Sequence, residues 1–185
     1  MTNATTPPGQ PFTLTSPVEP WVVVTQDDDL VARELLAAIA TSGVVKPLDS
    51  AMMTDTSGLF AEFADKLEFP PYFGHNWYAL VDCLDDLHSS GHGQLPVAVV
   101  VEDADPVVDT DFFPLFIALL CEAADRANLS LDADDLPRDR PPFPLHFIFF
   151  TKRTNRKQLA DRLRERDDLS VHESDDRVLV SSKPD

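Results

Sequence analysis

Cysteine is scarce in this sequence. Its 185 residues include only Cys83 and Cys121, which lie far apart in apolar segments of helical periodicity. Two cysteines exclude the disulfide-rich framework of small secreted proteins. Both are predicted to be small buried hydrophobic side chains in a reducing cytoplasm, and a single disulfide between them is the alternative.

Long hydrophobic runs are missing as well. No stretch reaches the roughly 18 consecutive apolar residues of a membrane-spanning helix. The first 20 residues, MTNATTPPGQPFTLTSPVEP, have neither a basic start nor an apolar centre, so a signal peptide is not predicted. Their Thr/Pro-rich composition predicts a disordered tail over residues 1–20.

Basic residues are few compared with acidic ones, 15 against 32, and the formal net charge is −17. A field of this sign repels nucleic acid and anionic membranes and attracts basic proteins. A requirement for solubility or salt tolerance would produce the same excess of acid. The charge therefore predicts no direct nucleic-acid or membrane partner and is compatible with a basic protein partner.

Apolar β-branched segments alternate with amphipathic ones along the chain. The strands are predicted at residues 21–24, 44–49, 97–101 and 145–150, with RVLVSS as a further edge strand near the end. The helices are predicted within LVARELLAAIA, SGLFAEFADKL, NWYALVDCLDDL and FFPLFIALLCEAADRA. The first two strands, with the helix between them, predict a parallel pair. The whole pattern predicts an α/β fold with a small, mainly parallel sheet packed with helices.

The segment FPPYFGHNWYALVDCLDDL, residues 69–87, places an aromatic turn directly before a short amphipathic helix. Asn76 is predicted to cap that helix, and Gly74 to take a backbone conformation that a β-carbon resists. Tyr72 and Phe73 are predicted at the mouth of the turn. On a helical wheel the apolar residues gather on one side, and the other side carries Tyr78, Asp82, Asp85 and Asp86.

The acidic side of this helix has two interpretations. It is either an ordinary solvated face or a surface that meets a basic partner. Between Lys66 and Arg126 the sequence has eleven acidic residues and no lysine or arginine. A face exposed only to water usually mixes both signs, whereas a segment of one sign suits electrostatic steering of a partner. The count favours the second interpretation without excluding the first.

The segment LFAEFADKLEFPPYFGHNWYALVDCLDDL resembles the barstar family, the intracellular inhibitors of barnase-like ribonucleases. The shared features are a helix ending at FPPY, the YFGHN turn and the helix containing ALVDCL. The resemblance implies a barstar-like domain over residues 43–151, in which PVAVVVEDAD and PLHFIFF supply the second and third parallel strands. Residues 21–42 form an added N-terminal βα unit, and residues 152–185 a basic C-terminal helix with an edge strand.

The resemblance also implies a mechanism, in which carboxylates on the helix replace RNA phosphates in the nuclease cleft. It places Asp82 at the central acidic position and gives Glu122 a place on the rim. Tyr72, Gly74 and Asn76 match turn positions that border the enzyme. The chain departs from the family in two places, with Tyr78 where an acid is common and Val81 where barstar has a tryptophan. Tyr78 is therefore expected to contribute stacking area, and the partner to differ from barnase.

The expected function is that of a cytoplasmic immunity protein with no enzymatic activity, cofactor or metal, acting on a basic secreted or toxin ribonuclease. One alternative is an enzyme acting on a small cationic or polar substrate, for which His75, Asn76 and Asp82 would be the catalytic candidates. Another is a binding module whose partner is not a nuclease. His88 and His92 are interpreted as solvated loop residues rather than metal ligands.

A group of basic residues near the C-terminus does not fit an acidic inhibitor. This basic segment has seven members, Lys152, Arg153, Arg156, Lys157, Arg162, Arg164 and Arg166. Interleaved acids and the net charge argue against a nucleic-acid patch. Neutralisation of acidic surface, within the molecule or across a self-association interface, is predicted instead.

Overall fold

The most apolar segments of the sequence form the centre of a β-sheet. The computed structural model describes residues 13–89, 95–174 and 176–183, with the backbone only at 88 and 89. The strands are β1 (Val22–Gln26), β2 (Val44–Asp49), β3 (Val97–Glu102), β4 (Leu145–Thr151), β5 (Leu169–Ser174) and β6 (Arg177–Ser182). The helices are α1 (Leu30–Ser42), α2 (Thr56–Lys66), α3 (Trp77–Asp85), α4 (Asp105–Val108), α5 (Phe113–Leu129) and α6 (Arg156–Arg164).

The six strands lie in the order β2-β3-β4-β1-β6-β5. The first four in this order are parallel, and β6 and β5 add an antiparallel hairpin beside β1. The prediction of a mainly parallel α/β sheet is confirmed. This single sheet contains strands from both sides of the boundaries predicted at residues 42 and 151.

The predicted pairing of the first two strands is wrong, because β3 and β4 separate them. The reason lies in their composition. Val22, Val23 and Val24 are buried on both faces of β1, which suits a central strand. In contrast, β2 contains Lys46 and Pro47, and a proline without an N–H is tolerated at a sheet edge.

The prediction that the C-terminal strand lies at the edge of the sheet is also wrong. RVLVSS forms β6, which lies between β1 and β5 and is not an edge strand. The edge is β5, with the sequence LSVHES, which the sequence analysis missed because only two of its residues are strongly apolar.

Two hydrophobic cores cover the two faces of the sheet. On one face α1 packs Ala32, Leu36 and Ile39 against Val23 and residues of β3 and β4. On the other face α2, α3, α5 and α6 pack over the remaining strand residues. Among the described residues, no helix has the length and hydrophobicity needed to cross a membrane.

The tail predicted over residues 1–20 is too long. Residues 1–12 lie outside the described part of the chain, but Leu14 is buried against the α1 face. The two ring nitrogens of His146 lie 3.1 Å from the carbonyl oxygens of Ser16 and Pro20. Residues 13–20 therefore belong to the packed structure. Cys83 and Cys121 are buried free thiols, so the alternative of a disulfide between them is wrong.

Asp29 connects the start of α1 to the C-terminal hairpin. Its carboxylate accepts hydrogen bonds from the backbone amides of Val31 and Ala32, both 3.1 Å long, and from Thr25 Oγ1 at 2.7 Å. Arg177 donates two more through Nε and Nη2, at 2.6 and 2.7 Å. Burial acts to raise the pKa of Asp29, but these hydrogen bonds outweigh it and lower the pKa to about 2.

We expect Asp29 to make the stability of the protein depend on acid pH. Because its folded pKa lies below that of the unfolded chain, its contribution is present above about pH 4 and is lost as the pH falls toward 2. The difference in unfolding free energy between the wild type and Asp29→Asn should shrink by about 1 kcal/mol between pH 6 and pH 3. Urea titrations measure this, with the exposed neighbour Asp28→Asn as control. A difference independent of pH would contradict it.

Candidate functional site

The turn before α3 is closed by the side chain of Asn76. Its Oδ1 accepts a hydrogen bond from the Ala79 amide at 2.9 Å, and its Nδ2 donates to the Gly74 carbonyl at 3.2 Å. Asn76 itself has extended backbone angles, as an N-cap residue should. The predicted cap is confirmed, and it fixes the start of α3 relative to the turn.

Gly74 is required here for space. A β-carbon on Gly74 would lie 2.8 Å from Nδ2 of Asn76, which is the group that caps the helix. The left-handed backbone conformation falls on the next residue, His75, with φ of 48°. Its Nδ1 donates a hydrogen bond to the Phe73 carbonyl at 3.0 Å. The prediction that Gly74 takes the unusual conformation is therefore wrong, because His75 takes it.

The aromatic residues of the turn separate into buried and exposed ones. Phe73, which was predicted at the mouth of the turn, is instead buried and packs edge-on against Phe60 and Phe69. Tyr72 and Tyr78 are 81% and 85% exposed, and they are the only tyrosines in the sequence. A large side chain exposed to this degree contributes little to the core, so both rings offer contact area to another molecule.

Tyr78 and Asp82 lie one helical turn apart on the outer face of α3. The Asp82 side chain is 69% exposed. On the inner face Leu80, Val81 and Leu84 are buried. Val81, at the position where the resemblance places a tryptophan, therefore packs into the core and offers no surface to a partner.

Asp85 does not belong to the outer face, contrary to the wheel. It is 3% exposed, and its carboxylate accepts hydrogen bonds from Arg138 Nη1 at 2.7 Å and from Arg140 Nη2. Nη1 of Arg140 also donates to the Asp85 carbonyl at 3.2 Å. These contacts attach the proline-rich loop after α5 to the end of α3. The available signal was that Asp85 follows Val81 by four residues, which places it beside the apolar stripe.

Glu122 and Asp82 come together around Arg126. Arg126 donates from Nη2 to Glu122 Oε1 at 2.5 Å and from Nη1 to Asp82 Oδ1 at 3.2 Å. The Arg126 side chain is only 11% exposed, while that of Glu122 is 46% exposed. One guanidinium shared by two carboxylates leaves one negative charge, and the second oxygen of Asp82 has no partner among the described residues. Arg126 was not among the predicted site residues, although its spacing from Glu122 is that of a helical ion pair.

The acidic stretch between Lys66 and Arg126 does not form a surface of one sign. Basic residues from elsewhere in the chain pair with six of its acids, namely Glu68, Asp82, Asp85, Glu102, Asp103 and Glu122. The fold thus brings basic residues from other parts of the sequence next to acids of this stretch. The negative character of the site lies in the exposed group of Tyr72, Tyr78, Asp82 and Glu122, with Arg126 beneath it; we call this group the α3 surface.

The geometry gives little support to the alternative hypothesis of an enzyme active site. Cys83 is buried, and burial together with the nearby Asp86 and Asp82 carboxylates raises the pKa of its thiol, which disfavours a reactive thiolate. Within residues 13–89, 95–174 and 176–183 no three metal-ligating side chains converge. The side chains of His88 and His92 lie outside the described residues, so the interpretation made for them stays a prediction.

The sequence of the region around the α3 surface matches a known family. The family model described as Barstar (barnase inhibitor) matches residues 44–135. This segment is a Barstar domain. It begins at the first residue of β2 and ends six residues after α5, so it includes the turn, α3, Glu122 and Arg126. No curated protein matches the chain.

The family prediction is confirmed, with a shorter extent than expected. The match stops before β4, which was predicted as the third strand of the family fold, although β4 does lie parallel to β3. The Barstar domain supplies only β2 and β3 of the six strands. The remaining four strands come from the segments on either side of the match.

Proposed function

We propose that this Barstar domain inhibits a barnase-like ribonuclease by placing the α3 surface in the enzyme's substrate cleft. The observation that carries the proposal is the geometry of Asp82. Its side chain is 69% exposed, and Arg126 holds it beside Glu122 without neutralising both acids. A ribonuclease cleft is positively charged because it binds phosphates. Fixed carboxylates of this kind are complementary to such a cleft.

Each remaining member of the site has a distinct task in this proposal. Asn76 and Gly74 hold α3 at a fixed angle to the turn, so that no ordering of the helix is required on binding. Tyr72 and Tyr78 provide rigid aromatic contact area, which is frequent at the energetic centres of interfaces. Glu122 adds a charge at the side of Asp82. Competitive occlusion needs no catalytic group, so we propose that the protein is not an enzyme.

The partner is proposed to differ from barnase in its contacts with α3. Tyr78 is an exposed aromatic ring at a position where family members commonly have an acid, and Val81 is buried. A target that matches this surface would accept a ring beside Asp82 in place of a second charge. We further propose a basic secreted or toxin ribonuclease, met in the cytoplasm by an immunity protein.

The test is a titration of each barnase-like ribonuclease encoded by the same organism. We expect the activity of one of them to fall linearly to zero at an equimolar amount of the full chain. More RNA substrate should relieve the inhibition, and the association rate should fall with added salt. The proposal would be rejected if all these enzymes, at micromolar concentration, kept full activity in the presence of a roughly tenfold molar excess of the chain.

A further inference from the structure

The basic segment after β4 is only partly neutralised by the molecule itself. Five of its seven side chains have partners. Lys152 pairs with Asp103, Arg156 with Asp176, Arg164 with Asp161 and Glu173, Arg166 with Asp168, and Arg162 donates to the carbonyls of Val108 and Thr110. The side chains of Arg153 and Lys157 are exposed and have no partner among the described residues. Internal neutralisation therefore accounts for most of the segment but not for these two cations.

Arg153 and Lys157 line one open groove of about 560 Å³. Lys152, Arg156, Gln26 and Glu173 also contribute to its walls. Four of the fifteen basic residues of a strongly acidic protein thus meet at a single concave surface. Three described acids at or beside this surface are already engaged, since Glu173 pairs with Arg164, and Asp103 and Asp176 each pair with one groove cation.

The groove lies at the carboxyl ends of the neighbouring parallel strands β1 and β4. The chain leaves β1 toward α1 on one face of the sheet, and it leaves β4 toward α6 on the opposite face. The two connections diverge and leave a crevice between them. In open α/β sheets, such a change of direction is the usual position of a ligand site.

The loop that carries Lys152 and Arg153 is held in place by Asp105. Its buried carboxylate accepts hydrogen bonds from the backbone amides of Lys152 and Arg153 at 2.9 and 3.0 Å, and from Thr154 Oγ1 at 2.7 Å. Burial opposes ionisation of Asp105, but these bonds prevail and its pKa is lowered. The loop therefore presents Arg153 in a defined position shortly before α6 without requiring a ligand to order it.

We propose that this groove is a binding site for a small ligand with two linked phosphate groups. Two free cations, supported by two partly neutralised ones and by the positive end of α6, match a compact dianionic or trianionic group. Among the described residues, the groove walls contain no aromatic side chain on which a base could stack. The net charge of −17 opposes a long polyanion that extends beyond the groove, which favours a small ligand over RNA or a membrane.

Calorimetric titration of the full chain with inorganic pyrophosphate tests this site directly. We expect saturable one-to-one binding with a Kd below about 1 mM, which weakens with added salt. The double variant Arg153→Ala, Lys157→Ala should weaken it at least tenfold, since each removed cation contributes a charge-assisted contact. Both side chains are exposed and have no partner in the described ranges, so the fold should be unaffected, as far-UV circular dichroism can check.

A control variant separates the groove from a general charge effect. Lys66→Ala with Arg166→Ala removes the same two charges from paired positions outside the groove and should keep the affinity within about twofold. Equal weakening in both variants, or no saturation by pyrophosphate, would overturn the site. Tighter binding of a single-stranded RNA or of anionic vesicles than of pyrophosphate would overturn the assignment to a small ligand. None of these measurements involves a nuclease, so they are independent of the proposed inhibition.

Discussion

Replacing Asp82 with alanine is expected to weaken inhibition of the target ribonuclease by about 30- to 1,000-fold, equivalent to about 2–4 kcal/mol of binding free energy. Asp82 is the more exposed of the two carboxylates of the α3 surface, and it shares Arg126 with Glu122. When the complex forms, its charge loses water and gains cationic partners in the cleft. Removing it leaves those cations buried and unpaired, which is the main source of the loss. The measurement is the inhibition constant of the variant.

The same change should leave the isolated protein nearly as stable as before. The contact of Asp82 with Arg126 is 3.2 Å long and joins a mostly exposed carboxylate, and such pairs contribute about 0–1 kcal/mol. Arg126 keeps Glu122 as a partner after the substitution. Loss of inhibition together with unchanged urea unfolding would therefore assign the effect to binding.

Asp161→Ala is the matched control for this experiment. Asp161 is also an exposed acid, 61% accessible, paired with one arginine, but it lies on α6 beside the C-terminal hairpin. If overall charge governed the interaction, both variants would lose the same affinity. We expect Asp161→Ala to inhibit within about twofold of the wild type. An Asp82→Ala protein that inhibits at full strength would remove Asp82 from the interface.

The parts of the site that could be predicted from the sequence are those determined by neighbouring residues. Asn76 caps α3 through an amide three residues away, and the buried face of the helix follows from its own periodicity. The exposure of Asp82 follows from the same periodicity. Local rules were sufficient here because every group involved lies within about two turns of the others along the chain.

The predictions that were wrong concern side chains whose partners are distant in sequence, or contacts that depend on the shape of the turn. The partners of Asp85 lie 53 and 55 residues further along the chain, and no periodicity indicates them. Arg126 reaches Asp82 across 44 residues. The requirement for glycine at position 74 depends on where a single β-carbon would meet the capping amide of Asn76. The contacts of Asp82 and Asp85 depend on how α3 packs against α5 and the loop after it, which the periodicity of one helix does not indicate.

The order of the strands in the sheet also could not be predicted from the sequence pattern. The pattern identified β1 and β2 as strands and predicted them as a pair, because consecutive strands are neighbours more often than not. In this fold the full burial of β1 requires a strand on each side, and β4 and β6 take those places. The outcome matters for function, since the β1–β4 pairing creates the crevice that holds Arg153 and Lys157.

Replacing Asp85 with alanine is expected to cost about 3–5 kcal/mol of folding stability, because it leaves the guanidinium groups of Arg138 and Arg140 without their carboxylate in a largely buried position. Urea unfolding of the variant measures the loss. Asp139→Ala is the control, since this exposed acid lies between the same two arginines in sequence. Its stability should stay within about 0.5 kcal/mol of the wild type. Equal stability of the two variants would contradict a structural role for the Asp85 contacts.

A third variant separates the value of the ion pairs from the penalty of breaking them. Changing Asp85, Arg138 and Arg140 together to Leu, Met and Met removes all three charges, and apolar replacements of a buried charge cluster are often neutral or stabilising. We expect this triple variant to recover most of the stability lost in Asp85→Ala. Whether this variant still inhibits the ribonuclease should depend on whether α3 keeps its position, because the two arginines attach the loop after α5 to the end of that helix. Recovered stability with weakened inhibition would show that this ionic contact orients Asp82 for binding, beyond holding the fold together.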